Sequence, residues 1–315
     1  MKILFICGKK RYFLEKEEKG LVLAGVVGCH FLGIFFHRDK SSSEEVHPFT
    51  LLTLRFGIGG FLLFVFQLRK DKWFLRTFSP KDWFLIFLLA IAGMSGHTLL
   101  QAFGLLYTTA INTGWIVAVI PIFITISARL FLKEAIRVRT GIGIFIGFLG
   151  VFLVISKGVF SFSLFHFGST LGDFLVLFSA LTWTAFTVGG RGFLSRVPAL
   201  TAITPVMIVG SLTTFPFTFL KWQWNILPHL SLSAWMGILF LGVFCSGLAY
   251  LFWYSALEKK DLKIVGMYLY LEPFVTLIGA YFLINEQVQR VSLMGGGMIL
   301  LGVYLATKRR STQKS

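Results

Sequence analysis

The chain has 315 residues, of which 56% are hydrophobic and 14% are charged, and its mean hydropathy is +0.78. Soluble domains carry about 25% charged residues, so this composition excludes an ordinary water-soluble protein. The formal net charge of +16 would suit a nucleic-acid partner, unless the basic residues follow a membrane topology instead.

Apolar stretches long enough to cross a bilayer, about 20 residues each, recur along the whole chain. They are continuously apolar, whereas the strands of a transmembrane barrel alternate apolar and polar residues. The sequence therefore predicts an all-α integral membrane protein. We predict ten transmembrane helices, of which the fifth and the tenth are short, over residues 20–38, 50–68, 83–106, 111–132, 141–157, 171–189, 201–220, 234–256, 264–284 and 291–307.

The polar intervals between these helices are too short to hold a soluble domain. The N-terminus MKILFICGKK has too few apolar residues before its lysines for a signal-peptide core, so the first helix is expected to direct insertion. We divide the chain into a basic cytoplasmic N-terminus (1–19), a first repeat (20–160), a second repeat (168–307) and a basic cytoplasmic tail (308–315).

The basic residues are distributed as in a membrane protein. With the N-terminus inside, 23 of the 30 lysines and arginines lie in inside segments and five lie in outside segments, while Arg55 and Arg129 fall within helices. This bias follows the positive-inside rule. It predicts a multi-pass protein of the cytoplasmic membrane with both termini in the cytoplasm, and it makes a nucleic-acid partner unnecessary.

The chain lacks motifs that would indicate an enzyme. There is no HExxH, GxxxxGK[ST] or GxSxG motif and no cluster with metal-ligand spacing. Cys7, Cys29 and Cys245 have no CxxC spacing and are interpreted as small apolar residues. The sequence therefore predicts no enzymatic activity, no cofactor and no metal.

Two segments of the chain repeat each other. PIFITISARLFLKE runs from Pro121 to Glu134, and PFVTLIGAYFLINE runs from Pro273 to Glu286, so both residues recur 152 positions later. The same offset pairs Gly20 with Gly172, Trp83 with Trp235, Gly114 with Gly266, Gly143 with Gly295, and Gly150 with Gly302. Because each half holds five helices, an odd number, the second half must enter the membrane from the opposite side, which is an inverted repeat.

The paired prolines suggest a position for the transport site. Pro121 is predicted about ten residues into helix four and Pro273 about nine into helix nine, which places both near the bilayer midplane. A proline within a helix removes one hydrogen bond, and paired interruptions mark binding sites in transporters. Pro121 and Pro273 are therefore predicted to be helix-break residues of the substrate pathway, and the alternative is a proline kink that only shapes packing.

The two segments, each followed by a glycine-bearing helix (TGIGIFIGFLGVFLVI and SLMGGGMILLGVYLA), resemble the duplicated EamA-type module of the drug/metabolite transporter superfamily. The stretches HPFTLLTLRF and GLAYLFWYSALEKK strengthen the resemblance. It implies a ten-helix carrier with a central cavity that moves small organic solutes such as amino acids, nucleotide derivatives or drugs. The region 29–45 departs from the family, because helix one ends in charged residues and Phe31 stands where the second half has Trp183.

Ionisable residues within a membrane need a partner or a task. Glu272 is the leading candidate for contact with the solute or for proton coupling, and it is predicted to share one helix face with Tyr268 and Thr276. The alternative is a neutral carboxyl bonded to a neighbouring helix. Arg55 is interpreted either as an anion or salt-bridge site or as a side chain that reaches the headgroups.

Polar stripes in helices three and eight supply further candidates. Gly93, His97 and Gln101 recur at intervals of four, as do Ser246, Tyr250 and Tyr254. His97 is interpreted as a pH-sensitive or a packing histidine. The predicted substrate-binding residues are Glu272, Tyr268, His97, Gln101, Trp115, Trp183, Tyr250 and Arg55.

Two further pairs are assigned structural roles. Glu134 and Glu286 are expected to satisfy free N–H groups of the helices that follow them in the chain. Gly143 and Gly147 allow close helix approach, within the chain or at the face of a homodimer.

The sequence thus predicts a secondary transporter that works by alternating access in the lipid bilayer on a small-molecule solute. The alternative hypothesis is a membrane scaffold or receptor-like subunit that retains the carrier fold without transport, and the unusual end of helix one motivates it.

Overall fold

The computed structural model describes residues 46–132, 138–157, 167–220, 227–259, 262–266, 269 and 271–307. Across these residues the protein is all-helical, without β-strands. Eight segments in this part are long and apolar enough to cross a membrane, and each coincides with one of the predicted spans. The first predicted span and the unusual region 29–45 lie outside the described residues.

The helices are numbered here in chain order. They are α1 Pro48–Lys70, α2 Pro80–Leu89, α3 His97–Leu105, α4 Ala110–Val117, α5 Ile120–Leu132, α6 Val138–Ser156, α7 Phe167–Leu194, α8 Ala199–Leu220, α9 Leu232–Phe240, α10 Ala249–Lys259, α11 Leu262–Gly266, α12 Glu272–Ile284 and α13 Arg290–Thr307. A π-helical segment, Ala90–Gly96, joins α2 to α3, and another, Leu241–Leu248, joins α9 to α10.

The short fifth and tenth spans are confirmed, because α6 and α13 have 19 and 18 residues. The ninth span differs from the prediction of one continuous helix over 264–284. It consists of α11, with five residues, and α12, with 13 residues. Between these two helices the structure describes only residues 269 and 271, and neither is α-helical.

Pro121 lies near the middle of the candidate span Ala110–Leu130, as predicted, but both prolines stand at the start of a helix rather than within a continuous one. Pro121 is the second residue of α5 and Pro273 is the second residue of α12. N–H groups in the first turn have no acceptor within their own helix, so proline removes no hydrogen bond there and suits a helix start. Both interruptions are real, but each ends just before its proline.

The two halves of the chain repeat their helix boundaries with the same offset as their sequences. Five helices of the second half begin 152 residues after a helix of the first half: α9 after α2, α10 after α3, α11 after α4, α12 after α5, and α13 after α6. The serines that precede α2 and α9, Ser79 and Ser231, each accept a backbone N–H as N-caps. The duplication therefore extends to capping and to the π-helical segments.

The described residues form two compact units, one within 46–90 and 190–259 and the other within 91–189 and 262–307. In the first unit, α1 packs against α8 and against the π-helical segment Leu241–Leu248. A Cβ on Gly59 would lie 2.8 Å from the carbonyl oxygen of Gly242, so the two backbones approach closely. The hydroxyl of Thr53 donates to that of Thr214 across 2.9 Å, which joins α1 to α8.

The second unit is built around the antiparallel pair α6 and α13. Gly143 faces Gly302 and Gly150 faces Gly295, and a Cβ at Gly143 or Gly150 would come within 2.6 Å of the facing carbonyl oxygen. Gly295 lies 152 residues after Gly143, and Gly302 lies 152 residues after Gly150, so the repeat relates the two glycine pairs. The close helix approach predicted for Gly143 and Gly147 is thus made to α13 within the chain, and the homodimer face stays a prediction.

Several large apolar side chains face outward. The exposed fraction is 70% for Phe61, 65% for Phe145 and 70% for Phe282, which lie on three different helices. Soluble proteins rarely expose large contiguous apolar surfaces, whereas lipid tails cover such side chains favourably. The chain is a multi-pass membrane protein.

The glycine contact between α6 and α13 gives a stability prediction. We expect Gly302→Ala to destabilise the protein by about 1–3 kcal/mol, the usual cost of overpacking, because its Cβ would lie 2.4 Å from the backbone nitrogen of Gly147. The measurement is the Tm of the purified protein in detergent.

Gly297→Ala is the matched control, since it lies on the same helix and its Cβ would meet nothing within 4 Å. It should leave Tm unchanged or raise it, because alanine favours the helix. Equal Tm values for the two variants would contradict the packing described here.

Candidate functional site

The interrupted helices of spans four and nine lie side by side within the second unit. There α12 packs against α4, and α11 packs against α5. A Cβ on Gly114 would lie 2.9 Å from Thr276, and one on Gly266 would lie 3.4 Å from Ile124. Gly266 lies 152 residues after Gly114, and Thr276 lies 152 residues after Ile124. The two contacts are therefore equivalent in the repeat, and the two interruptions are related by approximate symmetry.

The span formed by α4 and α5 is the most enclosed of the eight. It is 89% buried over its apolar window, against 33–50% for the other seven. At the interruption itself, Val119 N–H donates to the carbonyl of Ile116 at 3.1 Å, and Ile122 N–H donates to that of Val119 at 2.8 Å. The irregular backbone is therefore covered by protein, as hydrocarbon requires.

Glu272 is the first residue of α12, and it is 1% exposed. A helix N-terminus favours a carboxylate, because the free N–H groups point toward it. Thr276 lies one turn later and is equally buried. Tyr268 lies outside the described residues, so the helix face that it was expected to share with Glu272 and Thr276 stays a prediction.

Trp115, on α4, closes one side of this region. Its indole ring lies against Gly296, where a Cβ would come within 2.3 Å, and edge-on to Phe274 at 6.4 Å between ring centres. Among the described residues, neither the indole nitrogen Nε1 of Trp115 nor the hydroxyl Oγ1 of Thr276 has a hydrogen-bond partner, although both atoms are buried. Buried polar atoms normally have partners, so these two are candidate contacts for a solute or water.

The polar stripe of helix three faces protein, as predicted. His97 is 8% exposed, and its Nδ1 lies 2.9 Å from the carbonyl oxygen of Ser179. Because a carbonyl only accepts, Nδ1 carries the proton. Its ring lies 4.8 Å from that of Trp183, while Gln101 is partly buried. This geometry suits the packing interpretation of His97, and a solute role for His97, Gln101 or Trp183 stays a prediction.

The stripe of helix eight lies in the first unit and is buried throughout. The exposed fraction is 0% for Ser246, 5% for Tyr250 and 0% for Tyr254. Arg55, on α1, donates from Nε to the hydroxyl of Ser246 at 2.6 Å, and Tyr250 meets Phe56 edge-on at 6.0 Å. The structure thus brings Arg55 and the predicted stripe together.

Sequence reasoning missed a buried carboxylate in the second unit. Asp173, on α7, is 0% exposed, and it accepts a hydrogen bond from the hydroxyl of Thr108. Nearby in the same unit, the hydroxyl of Ser292 donates to Asn112 at 2.7 Å. The signal was present in the sequence, because an acidic residue within a predicted span should have been considered on the same grounds as Glu272.

Glu286 has the structural role expected of it, but at a different helix. Its two carboxylate oxygens accept the backbone N–H groups of Ala110 and Ile111, each at 3.1 Å. It therefore caps α4 rather than α13, the next helix in the chain. Its counterpart Glu134 lies outside the described residues.

Comparison with known sequences decides the family. The EamA-like transporter family matches residues 19–156 and again residues 170–308. The chain belongs to the EamA-like transporter family. An EamA-like transporter moves a small-molecule solute across a lipid bilayer rather than catalysing a reaction.

Relatives support the same assignment. Two proteins of Archaeoglobus fulgidus, each named "uncharacterized transporter", are 29% and 30% identical to this EamA-like chain, over 93% and 86% of it and 100% and 91% of their own lengths. A protein of Bacillus subtilis named "uncharacterized transporter YyaM" is 26% identical over 88% of the chain and 90% of its own length. A crystal structure with a TM-score of 0.64 and 17% identity covers 93% of the chain and 97% of its own length, and it supports the fold alone.

Over the described residues of this EamA-like transporter, no group of three or more His, Cys, Asp or Glu side chains is placed to hold a metal ion. Several of the polar side chains described above form hydrogen bonds between packed helices, such as that of Ser292 with Asn112.

The capping by Glu286 gives a second prediction. Glu286→Gln leaves one acceptor oxygen for two N–H groups and removes the charge at the helix N-terminus, at a cost of about 1–2 kcal/mol. Hydrogen exchange at the amides of Ala110 and Ile111 should therefore accelerate. Gln287→Ala, a change at an exposed neighbour, is the control, and unchanged exchange in Glu286→Gln would contradict the contact.

Proposed function

We propose that this protein is a secondary carrier that moves a small organic metabolite across the cytoplasmic membrane by alternating access. The observation that supports it most directly is the symmetric packing of the two interrupted helices, where the contact of Gly114 with Thr276 recurs as that of Gly266 with Ile124. Such paired interruptions near the midplane are typical of transporter binding sites.

The proposed architecture is ten helices arranged as two inverted five-helix repeats, 20–160 and 168–307. Eight candidate spans are described, and we assign one further span to α11 with α12. The remaining span is the one that the sequence predicts over residues 20–38, which lie outside the described residues. The matched helix starts and the glycine pairs of α6 and α13 support the duplication. The distribution of basic residues supports both termini in the cytoplasm.

An inverted repeat gives a physical basis for alternating access. If each half adopts the conformation of the other, the assembly has two related states that open to opposite sides. The π-helical segments and the helix interruptions are the places where the backbone departs from regular α-helix. Such departures are frequent at functional sites, and we assign to them the change between the two states.

Within the second unit, we place a solute contact at the interruptions, with Glu272, Thr276 and Trp115 as its polar groups. Glu272 supplies the carboxylate for a solute ammonium group or for a coupled proton. Trp115 Nε1 and Thr276 Oγ1, which lack partners among the described residues, supply donors. The motifs identify the carrier family, and our proposal for where the solute makes contact is based on these side chains.

Transport by purified protein in liposomes tests this function. We expect gradient-driven accumulation of at least one solute from a panel of amino acids, nucleosides and nucleotide-derived cofactors. Solute should also slow the labelling of a cysteine placed at Thr276. Absence of both flux and protection over the panel would contradict the carrier and favour the scaffold.

Proton coupling gives a sharper expectation. If Glu272 carries the coupled proton, Glu272→Gln should abolish proton-driven accumulation while solute exchange continues, because the amide cannot release a proton. Asp71→Asn, which neutralises an exposed carboxylate after α1, is the matched control and should transport normally. Retained proton-driven uptake in Glu272→Gln would refute this role.

A further inference from the structure

We infer that Arg55 and Ser246 form a recognition site for the anionic group of the solute, so that the transported metabolite carries a carboxylate or a phosphate. The inference rests on the proposed transport function and names its substrate class. It comes from the surroundings of Arg55 within the first unit.

Arg55 lies within a membrane-crossing helix rather than at its end. It is the eighth residue of α1, about 10 Å along the axis from the helix start. An arginine at such depth is costly unless it faces protein or a cavity and meets an opposite charge. The side chain is part-buried and turns toward Ser246, which is fully buried, so it points toward packed protein.

Arg55 forms no ion pair with any carboxylate that the structure describes. The described acids of the first unit are Asp71, Asp82 and Glu258. Asp82 pairs with Arg196 at 3.1 Å, Asp71 accepts the backbone N–H of Trp73, and Glu258 accepts that of Ala199. Each of the three therefore has another partner.

The contacts that Arg55 does make are neutral, and they orient the guanidinium group. Its Nε donates to the hydroxyl oxygen of Ser246 at 2.6 Å, and its central carbon lies 5.3 Å from the ring centre of Phe56. A guanidinium has five N–H donors. With Nε engaged, the two terminal nitrogens present the edge that binds two oxygens of a carboxylate or phosphate.

Ser246 belongs to the π-helical segment Leu241–Leu248, and this gives the site its second component. The hydroxyl oxygen accepts from Arg55, so the hydroxyl proton is directed elsewhere and can be donated to the same anion. Tyr250, one turn further along, packs edge-on against Phe56 and holds the aromatic wall beside the guanidinium. An anion held here would interact with both α1 and the π-helical segment of span eight.

Binding is tested on the purified full-length protein by thermal shift at constant sodium chloride concentration. Each probe is an organic anion beside its neutral analogue: lactate with lactamide, glutarate with glutaramide, and glycerol 3-phosphate with glycerol. We expect at least one anion to raise Tm in a saturable manner while its analogue does not. The carboxylate and phosphate arms distinguish which group is recognised. No charge-selective shift in the wild-type protein would overturn the inference.

Variants locate the effect. Arg55→Gln should abolish the anion-dependent shift, and Arg55→Lys should weaken apparent affinity by at least about tenfold, because lysine keeps the charge but lacks the two-oxygen edge. Ser246→Ala should weaken the apparent affinity for the anion less than Arg55→Lys does. If Arg55→Gln does not fold, Arg55→Lys decides, and wild-type affinity in Arg55→Lys would overturn the inference.

Arg129→Lys is the matched control, because Arg129 lies near the end of α5 and should not affect anion affinity. Flux of the same anions in liposomes separates the two proposals. If anion binding depends on Arg55 but no solute shows flux, the result would contradict the carrier proposal and support the anion-site proposal. Flux of neutral or cationic solutes that is unaffected in Arg55→Lys would contradict the anion site and leave the carrier.

Discussion

The main constraint on this chain is that hydrocarbon offers no hydrogen-bond partners to a peptide backbone, so irregular backbone at membrane depth must be covered by protein. The turn between α4 and α5 obeys it, because Ala118 and Val119 are fully buried. The same constraint explains why the two prolines stand in the first turn of a helix, where no backbone donor is lost.

The sequence duplication relates the packing contacts of the two halves. The offset of 152 relates the contacts within each helix group. In the pair α6 and α13, the contact of Gly143 with Gly302 corresponds to that of Gly150 with Gly295. In the group α4, α5, α11 and α12, the contact of Gly114 with Thr276 corresponds to that of Gly266 with Ile124. A substitution that improves one contact therefore has a counterpart in the other half. The proposed two-state transport cycle uses this property, since both states are built from related packing.

The sequence was sufficient for the features that depend on composition and repetition. Hydropathy located the described membrane spans, because about 20 apolar residues cross a bilayer, and the offset of Pro121 and Pro273 located both interruptions. It was insufficient where the outcome depends on a partner distant in the chain. Neither the capping of α4 by Glu286 nor the contact of Thr108 with Asp173 leaves a local pattern. The π-helical segments were also missed, because their residues remain apolar and helical in periodicity.

The central proposal is that the two five-helix repeats, 20–160 and 168–307, cross the membrane in opposite directions. Its most direct test is the labelling of single cysteines at Ala135 and Gln287, which are 152 residues apart in the two repeats, in intact cells with a membrane-impermeant maleimide. Cys7, Cys29 and Cys245 would be replaced beforehand. The account predicts that the cysteine at position 287 reacts from outside and that the one at 135 reacts only after permeabilisation. Reaction of both from the same side would contradict the inverted repeat and the transport mechanism built on it.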